Sequence, residues 1–320
     1  MASAKDTVCA VVVTYNRKVL LIECLEALCK QTRPVQGIYL IDNASTDGTP
    51  DLLLEKGYIK ELPPENLLEP WEKEFEIKNL TDGQHIKFYY VRMHENTGGA
   101  GGFHEGVKRA YERGYDWLWL MDDDVEPLPK ALETQLSYAE ISKCIHPSRK
   151  YVDGSRVLWE VYLDPKSSKE IFLKDRSFKE KNLNYCLVNV GCFEGMLIHR
   201  DIVARIGYPD KSFFISKDDT IYGFLASKFT KNIYIRDICF IKKVKKLNKL
   251  SGKSLYYFVR NRFILCLYLK REGYFTCKSY FWIFYKVFRM LVFNFVKLDL
   301  KSCYFILKGL SNGLKFVLKS

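Results

Sequence analysis

The chain has 320 residues, 48% of them apolar, which is enough for a substantial core in one large domain or two modest ones and excludes a disordered protein. Its net charge of +12 suggests nucleic acid only until it is mapped: residues 241–320 carry 18 Lys and Arg against Glu272 and Asp299, and the first 240 residues sum to −4. Ten cysteines without a C-x-x-C pair read as reduced thiols, and M-A-S-A-K-D-T lacks the apolar core and cleavage site of a signal peptide, so a cytoplasmic location is expected.

Residues 8–14, V-C-A-V-V-V-T, form a continuous β-branched run, the pattern of a strand buried on both faces of a parallel sheet. Residues 19–30 take helical spacing, and 38–41 give a second strand that ends in D-N-A-S-T-D-G-T before a helix start at Pro50. Residues 60–85, charged and proline-bearing, read as an excursion. A third strand follows at 87–92, a helix at 101–113 and a fourth strand at 117–121. This alternation predicts an α/β doubly wound sheet with ligands at the carboxyl ends of its strands. The polar clusters fall at those ends: Thr14 to Arg17, Asp42 to Asp47, Arg92 to Gly102, and Asp122 to Asp124. Beyond residue 145 the alternation weakens; 152–163 and 185–198 read as strands of a mixed second half and 201–207 as a short helix.

Three stretches carry candidate chemistry. The loop H-E-N-T-G-G-A-G-G, residues 94–102, lets backbone approach a ligand closely at a helix N-terminus, which favours an anion. It fits neither the dinucleotide fingerprint nor the P-loop, and a tight connection alone would account for it. In Asp122-Asp123-Asp124 alternate side chains point the same way, so Asp122 and Asp124 can share Mg²⁺ or Mn²⁺ while Asp123 faces elsewhere; a solvated acidic loop before Pro127 is the alternative. Asp218-Asp219 can supply a general base for an acceptor hydroxyl, or cap a helix over residues 222–228, or both.

With these pieces placed, the chain resembles the family-2 glycosyltransferases of GT-A fold, in their galactofuranosyl- and rhamnosyltransferase branch. The matching stretches run in order over residues 8–225: V-V-V-T-Y-N-R, I-D-N-A-S-T-D-G-T, N-T-G-G-A-G-G-F-H-E-G, D-W-L-W-L-M-D-D-D-V-E-P, G-C-F-E-G-M-L-I-H-R-D-I-V-A-R-I-G and F-F-I-S-K-D-D-T-I-Y-G. The resemblance implies a GT-A fold, a Rossmann-like nucleotide-binding half in a mixed sheet, and a nucleotide-sugar donor. Thr14 and Arg17 would line the nucleotide pocket, Asp42 would read the base, Asn96, Gly98 and Gly99 would lie near the sugar diphosphate, and Arg92 would be a further donor-binding residue. Asp122 and Asp124 would bind Mn²⁺ or Mg²⁺, Asp123 would sit near the donor sugar, and Asp219 would be the base, with Asp218 beside it. Relatives often supply a metal-binding His after the next strand; here D-I-C-F-I-K-K, residues 237–243, offers none, and a lysine could neutralise phosphate instead.

Residues 278–301 contain no 18-residue uncharged stretch, so a spanning helix is not expected. On a helical projection Lys278, Ser279, Lys286, Arg289, Asn294, Lys297 and Lys301 share one face opposite Phe, Val, Leu and Tyr, the pattern of a helix lying on an anionic bilayer. A helix packed on the catalytic domain or on another subunit would show the same pattern. The division expected is therefore a catalytic domain over 1–245 and a basic amphipathic helical extension over 246–320. The expected function is inverting, metal-dependent transfer of galactofuranose from UDP-galactofuranose to a lipid-linked or polysaccharide acceptor at the inner face of a bacterial membrane, with a homo-oligomer possible and no nucleic acid bound. A dTDP-rhamnose-dependent enzyme is the runner-up. A nucleotidyltransferase would need a basic glycine-rich activating loop near the N-terminus, which V-T-Y-N-R does not offer.

Overall fold

The computed structural model describes residues 6–157, 161–173, 184–245, 252–274 and 277–318. Strand β1 (Val8–Thr14) leads to helix α1 (Lys18–Cys29), β2 (Gly37–Asp42) to α2 (Thr49–Glu55), β4 (His85–Arg92) to α3 (Gly98–Glu112), and then comes β5 (Trp117–Asp122). β1 is uniformly apolar because its residues serve two cores in alternation. Val8, Ala10 and Val12 pack with Leu21, Leu25 and Leu28 of α1 and Leu53 of α2, while Cys9, Val11 and Val13 pack with Phe103, Val107 and Ala110 of α3. Helices thus cover both faces, as expected of a doubly wound sheet.

β5, β1, β2 and β4 lie side by side and parallel, in registers that set Thr14 beside Asp42, Asp42 beside Arg92, and Val13 beside Asp122. The four polar strand ends therefore meet along one rim. The excursion holds β3 (Trp71–Lys78), antiparallel on the outer edge of β4. Its glutamates pair with Arg109, Arg113 and Lys87, a charged edge of the kind that discourages further strand pairing.

The mixed half adds β6 (Val125–Pro127), α4 (Ala131–Leu136), β7 (Cys144–Tyr151), β8 (Arg156–Val157), β9 (Val161–Asp164), β10 (Lys169–Phe172), β11 (Tyr185–Leu187), β12 (Met196–His199), α5 (Arg200–Ile206), α6 (Asp218–Ala226) and β13 (Ile233–Lys242). β12 runs antiparallel between β5 and β7, and β13 lies beyond β7. Both long strand readings break. Residues 152–163 turn at Gly154, where Asp153 accepts from the Ser155 N–H, and residues 158–160 lie outside the described set. Residues 185–198 divide into β11 and β12 at a loop ending in Gly195, whose φ is +96° and where a Cβ would lie 2.6 Å from Pro147.

α7 (Lys253–Arg271), α8 (Cys277–Val296) and α9 (Leu300–Leu318) complete the chain. The single helix expected over 278–301 is two. The chain turns at Leu298 (φ +56°), and Asp299 accepts hydrogen bonds from the Ser302 N–H and hydroxyl, starting α9. The expected polar face is also divided: Ser279 and Asn294 are buried with Ile283 and Val287, while Phe281, Phe284, Phe288, Val292, Phe295 and Val296 are exposed. No helix among the described residues is long and apolar enough to cross a membrane.

Candidate active site

The end of β5 gathers four carboxylates and three cations. Asp123 accepts from the Thr14 hydroxyl at 2.7 Å and from the Arg17 guanidinium at 3.2 Å; the same Arg17 nitrogen reaches Asp124 at 2.9 Å. On the other side Asp122 and Asp124 face Glu194, with one oxygen of each within 4.8 Å of the others. β5 ends at Asp122 and the next two aspartates lie in the turn that follows, so it is the turn that sets Asp122 and Asp124 toward Glu194 while Arg17 spans Asp123 and Asp124. Lys242 Nζ donates to Asp124 Oδ1 and Glu194 Oε1, both at 2.6 Å, and Arg149 reaches Glu194 Oε2 at 3.4 Å. Burial drives the Asp122 carboxyl well above the usual carboxylate range; Lys242 opposes this, and Glu194, Asp124 and Asp123 reinforce it. Burial also pushes Asp123 up to about 6, against the Thr14 and Arg17 contacts that favour its ionised form. Burial opposes the Lys242 charge too, but Glu194, Asp122 and Asp124 outweigh it and keep the ammonium protonated.

The sequence signals for these partners were uneven. Glu194 lies in the G-C-F-E-G stretch and is not among the expected ligands, although an acid between an aromatic and a glycine ahead of an apolar strand is a signal for one. Lys242 ends an apolar strand, and its sequence context points only to neutralising phosphate. Arg149, from β7, gave no signal.

At the neighbouring strand ends, the Asp42 carboxylate is fully buried and accepts from the Tyr90 hydroxyl at 2.8 Å, Arg92 at 2.6 Å and the Ser45 N–H at 2.9 Å. Arg92 also binds the Ser45 carbonyl at 2.7 Å, so both residues brace the loop after β2. Asn16 joins that loop to the one after β1: its side chain accepts from the Thr46 N–H at 2.6 Å, and its own N–H donates to the Ser45 hydroxyl at 3.0 Å. In the glycine loop, Asn96 accepts from the Gly98 N–H at 2.8 Å, and Asn43 donates to the Gly98 carbonyl at 2.8 Å. Gly98 has φ +73°, and a Cβ there would meet the Phe214 carbonyl at 2.0 Å, so glycine is required. Gly99 faces open space at the start of α3.

The second acidic pair opens α6. Asp218 and Asp219 lie in its first turn, not before a helix at 222–228 as expected, because Lys217 (φ +75°) takes the capping position. Phe214 and Ser216 also have positive φ, so the approach to α6 is a run of conformations that L-residues avoid. α7 holds it in place. Asn261 Nδ2 donates to the carbonyls of Phe213, Ile215 and Ser216 at 2.9, 2.7 and 2.8 Å, and Arg260 to those of Ser212 and Phe213 at 2.6 and 2.7 Å. Phe214 stacks on Tyr257, and its carbonyl accepts from the Ala100 N–H of α3 at 3.0 Å, so the loop is seated on the glycine-rich turn. Asp218 is buried, and burial together with the Asp219 charge pushes its carboxyl up to about 7.

By donor chemistry Asp122, Asp124 and Glu194 are a set that would hold a hard divalent ion. As placed, the residues do not fit one: the Lys242 ammonium lies between Asp124 and Glu194, where an ion would coordinate, and has to withdraw before both can bind metal.

The family model of Glycosyl transferase family 2 matches residues 9–60 and 73–207. The chain is 27% identical over 231 residues to galactofuranosyltransferase GlfT1 of Mycolicibacterium smegmatis, covering 67% of this chain and 63% of that protein. It is also 27% identical over 226 residues to GlfT1 of Mycobacterium tuberculosis H37Rv, covering 67% and 62%. The chain thus spans less than two thirds of the length of these relatives. Among solved structures, S. aureus TarS 1-349 in complex with UDP superposes with a TM-score of 0.53 at 16% identity, over 84% of this chain and 72% of that one. GalNAc-T7 with UDP, GalNAc and Mn²⁺ gives 0.54 at 15% identity, over 79% and 48%. The architecture is that of a GT-A glycosyltransferase. The chain belongs to glycosyl transferase family 2.

Proposed function

We propose that the protein transfers galactofuranose from UDP-galactofuranose to a hydroxyl of a lipid-linked or polysaccharide acceptor, with inversion at the anomeric carbon. The observation that carries this reading is the meeting of two acidic groups at one end of the sheet. The β5 cluster sits with Thr14 and Arg17, and the Asp218–Asp219 pair is drawn against the glycine-rich turn by the Phe214–Ala100 hydrogen bond. The two galactofuranosyltransferase relatives support the choice of sugar.

In this reading Thr14, Arg17, Asp42, Arg92, Asn96, Gly98 and Gly99 shape the donor pocket and Asp123 meets the donor sugar. Asp219 takes the proton of the acceptor hydroxyl as its oxygen bonds to the anomeric carbon, and the bond to the diphosphate breaks on the opposite face. Charge developing on the diphosphate needs a cation in place before the reaction, since preorganised charge stabilises it without reorganisation. Arg17 and Lys242 stand beside the cluster. Mn²⁺ or Mg²⁺ on Asp122, Asp124 and Glu194 is the other source of such charge; the acidic cluster supports it, and it requires Lys242 to leave its two carboxylates.

The exposed aromatic stripe of α8, flanked by the exposed cations Lys278 and Arg289, supports peripheral attachment to an anionic inner membrane surface, where a lipid-linked acceptor would be met. The central test is nucleotide release by the purified protein from UDP-galactofuranose, dTDP-rhamnose, UDP-galactose and UDP-glucose, with a short galactan acceptor. Fastest release from UDP-galactofuranose is expected. Release from dTDP-rhamnose alone would move the enzyme to the rhamnosyl branch, and release from none would remove the reading.

A further inference from the structure

We propose that Lys242 is the resident cation of the donor site, so that donor binding and transfer proceed without a divalent metal. This rests on the nucleotide-sugar reading above and deepens it.

Main-chain register makes the placement of Lys242 specific. β13 runs antiparallel to β6, the three-residue strand directly after the acidic triplet, and sets Lys242 opposite Val125. The next N–H, that of Lys243, donates to the Asp124 carbonyl at 2.9 Å, so the backbone on both sides of the contact is fixed. The Lys242 side chain is 6% exposed, and its ammonium contacts two of the three carboxylates that would otherwise form an ion site. Lys243, one residue on, points elsewhere, to Glu23 and Glu126. The buried ammonium belongs to the site, whereas its neighbour belongs to the surface.

The charges agree with this assignment. Asp122, Asp123, Asp124 and Glu194 face Arg17, Arg149 and Lys242, four carboxylates against three permanent cations. Adding a divalent ion to that set would bring a double charge against an ammonium held by the same oxygens, and the two repel at contact distance. Without the ion, the lysine shares its charge between Asp124 and Glu194, and Arg17, 45% exposed and paired with Asp123 and Asp124 on the open side, is the cation nearest an incoming diphosphate. Lys242 therefore acts as a positioning residue: it cancels the carboxylates that would repel the donor, and it does so through Asp124 and Glu194.

A purely structural lysine would not control metal binding, and the test turns on that difference. Mn²⁺ binding is followed by the loss of the free-ion paramagnetic resonance signal, UDP binding by calorimetry in EDTA and in Mn²⁺, and nucleotide release under both conditions. The wild type should take up no Mn²⁺ without nucleotide, and its UDP affinity and turnover should be the same in EDTA as in Mn²⁺. Lys242→Met, which leaves Asp124 and Glu194 uncompensated, should lose about 10²–10³-fold in turnover in EDTA, gain Mn²⁺ binding and recover in part when Mn²⁺ is added. Lys242→His, which restores a ligand in place of the cation, should bind Mn²⁺ more tightly still. Stoichiometric Mn²⁺ binding by the wild type, or loss of its turnover in EDTA, overturns the proposal without need of a folded variant. Failure of UDP to bind under any condition overturns the donor reading and the diphosphate role with it, and is told apart because the Mn²⁺ measurement needs no nucleotide.

Discussion

The two acidic groups at the sheet's end are held by opposite means. At β5 the carboxylates meet side-chain cations from three other elements: Arg17 from the loop after β1, Arg149 from β7 and Lys242 from β13. At α6 the pair is placed by backbone: a run of positive-φ residues clamped by Asn261 and Arg260, with the carboxyl of Asp218 leaning on the N–H groups that open the helix. In the proposed reading the first arrangement supports charge, and the second, where the Asp218 carboxyl is pushed up to about 7, would supply the base. Removing the base should give the largest effect. Asp219→Asn is expected to lower turnover by ~10²–10⁴-fold while UDP affinity, measured by calorimetry, stays at the wild-type value. Normal turnover would end the assignment.

The same comparison predicts a pH signature. Asp218 holds its proton up to about pH 7, and the charge it gains above that makes the neighbouring Asp219 a stronger base, so turnover should rise with pH through about 7. Asp218→Asn should remove that inflection. Stability should move the other way. The folded pKa of Asp218 lies above its unfolded value of ~3.9, so the stability tied to its protonated form is complete below that value and is lost as pH rises through about 7. Thermal midpoints should therefore fall less for Asp218→Asn than for the wild type between pH 5 and 8.

The parallel half was legible because its strands are buried on both faces: a run such as V-C-A-V-V-V-T has few other uses, and each polar cluster that ends such a run lands on the rim. The edge strand β3 was missed because W-E-K-E-F-E-I-K is mostly charged, although its aromatic and aliphatic residues alternate. Glu194, Arg149 and Lys242 come from the mixed half, where antiparallel insertion of β12 and the pairing of β13 with β6 bring distant residues to β5. Such contacts depend on strand order, which periodicity does not encode. Asn261 is hidden for a related reason: nothing in Y-Y-F-V-R-N shows that the Arg260 and Asn261 side chains both end on the main-chain carbonyls of a distant loop.

If backbone geometry places the α6 pair, loosening the clamp should act on catalysis without touching any charge. Asn261→Ala removes the amide that spans the carbonyls of Phe213, Ile215 and Ser216, of which that of Phe213 keeps Arg260, and at about 0.5–1.5 kcal/mol net for each hydrogen bond lost it should lower the unfolding midpoint in denaturant. It should also reduce turnover more than it weakens UDP binding, because the β5 side keeps its own ion pairs. Equal losses in both would mean that the two acidic groups are not separately supported.

Fixed and solvated charge part company again in the C-terminal helices. Lys286 is half-buried near Glu170, and burial together with Arg262 pushes its pKa down to about 8. Lys278 and Arg289 are exposed on α8 with the aromatic stripe, and Lys297 and Lys301 are exposed beyond its end. Only solvated cations can meet a bilayer, where each contributes roughly 1 kcal/mol, screened by salt. Single Gln replacements at the four exposed positions should each weaken binding to anionic liposomes by about fivefold, and the quadruple variant should float free while still releasing nucleotide with a water-soluble acceptor. Lys286→Gln should change liposome binding least, since that charge already faces protein. Equal effects at all five positions would instead indicate that Lys286 turns outward on the membrane. Binding that ignores salt and all five changes, but fails with Phe284→Ser and Phe288→Ser, would indicate that the stripe meets apolar surface alone, as a second copy of the chain would offer.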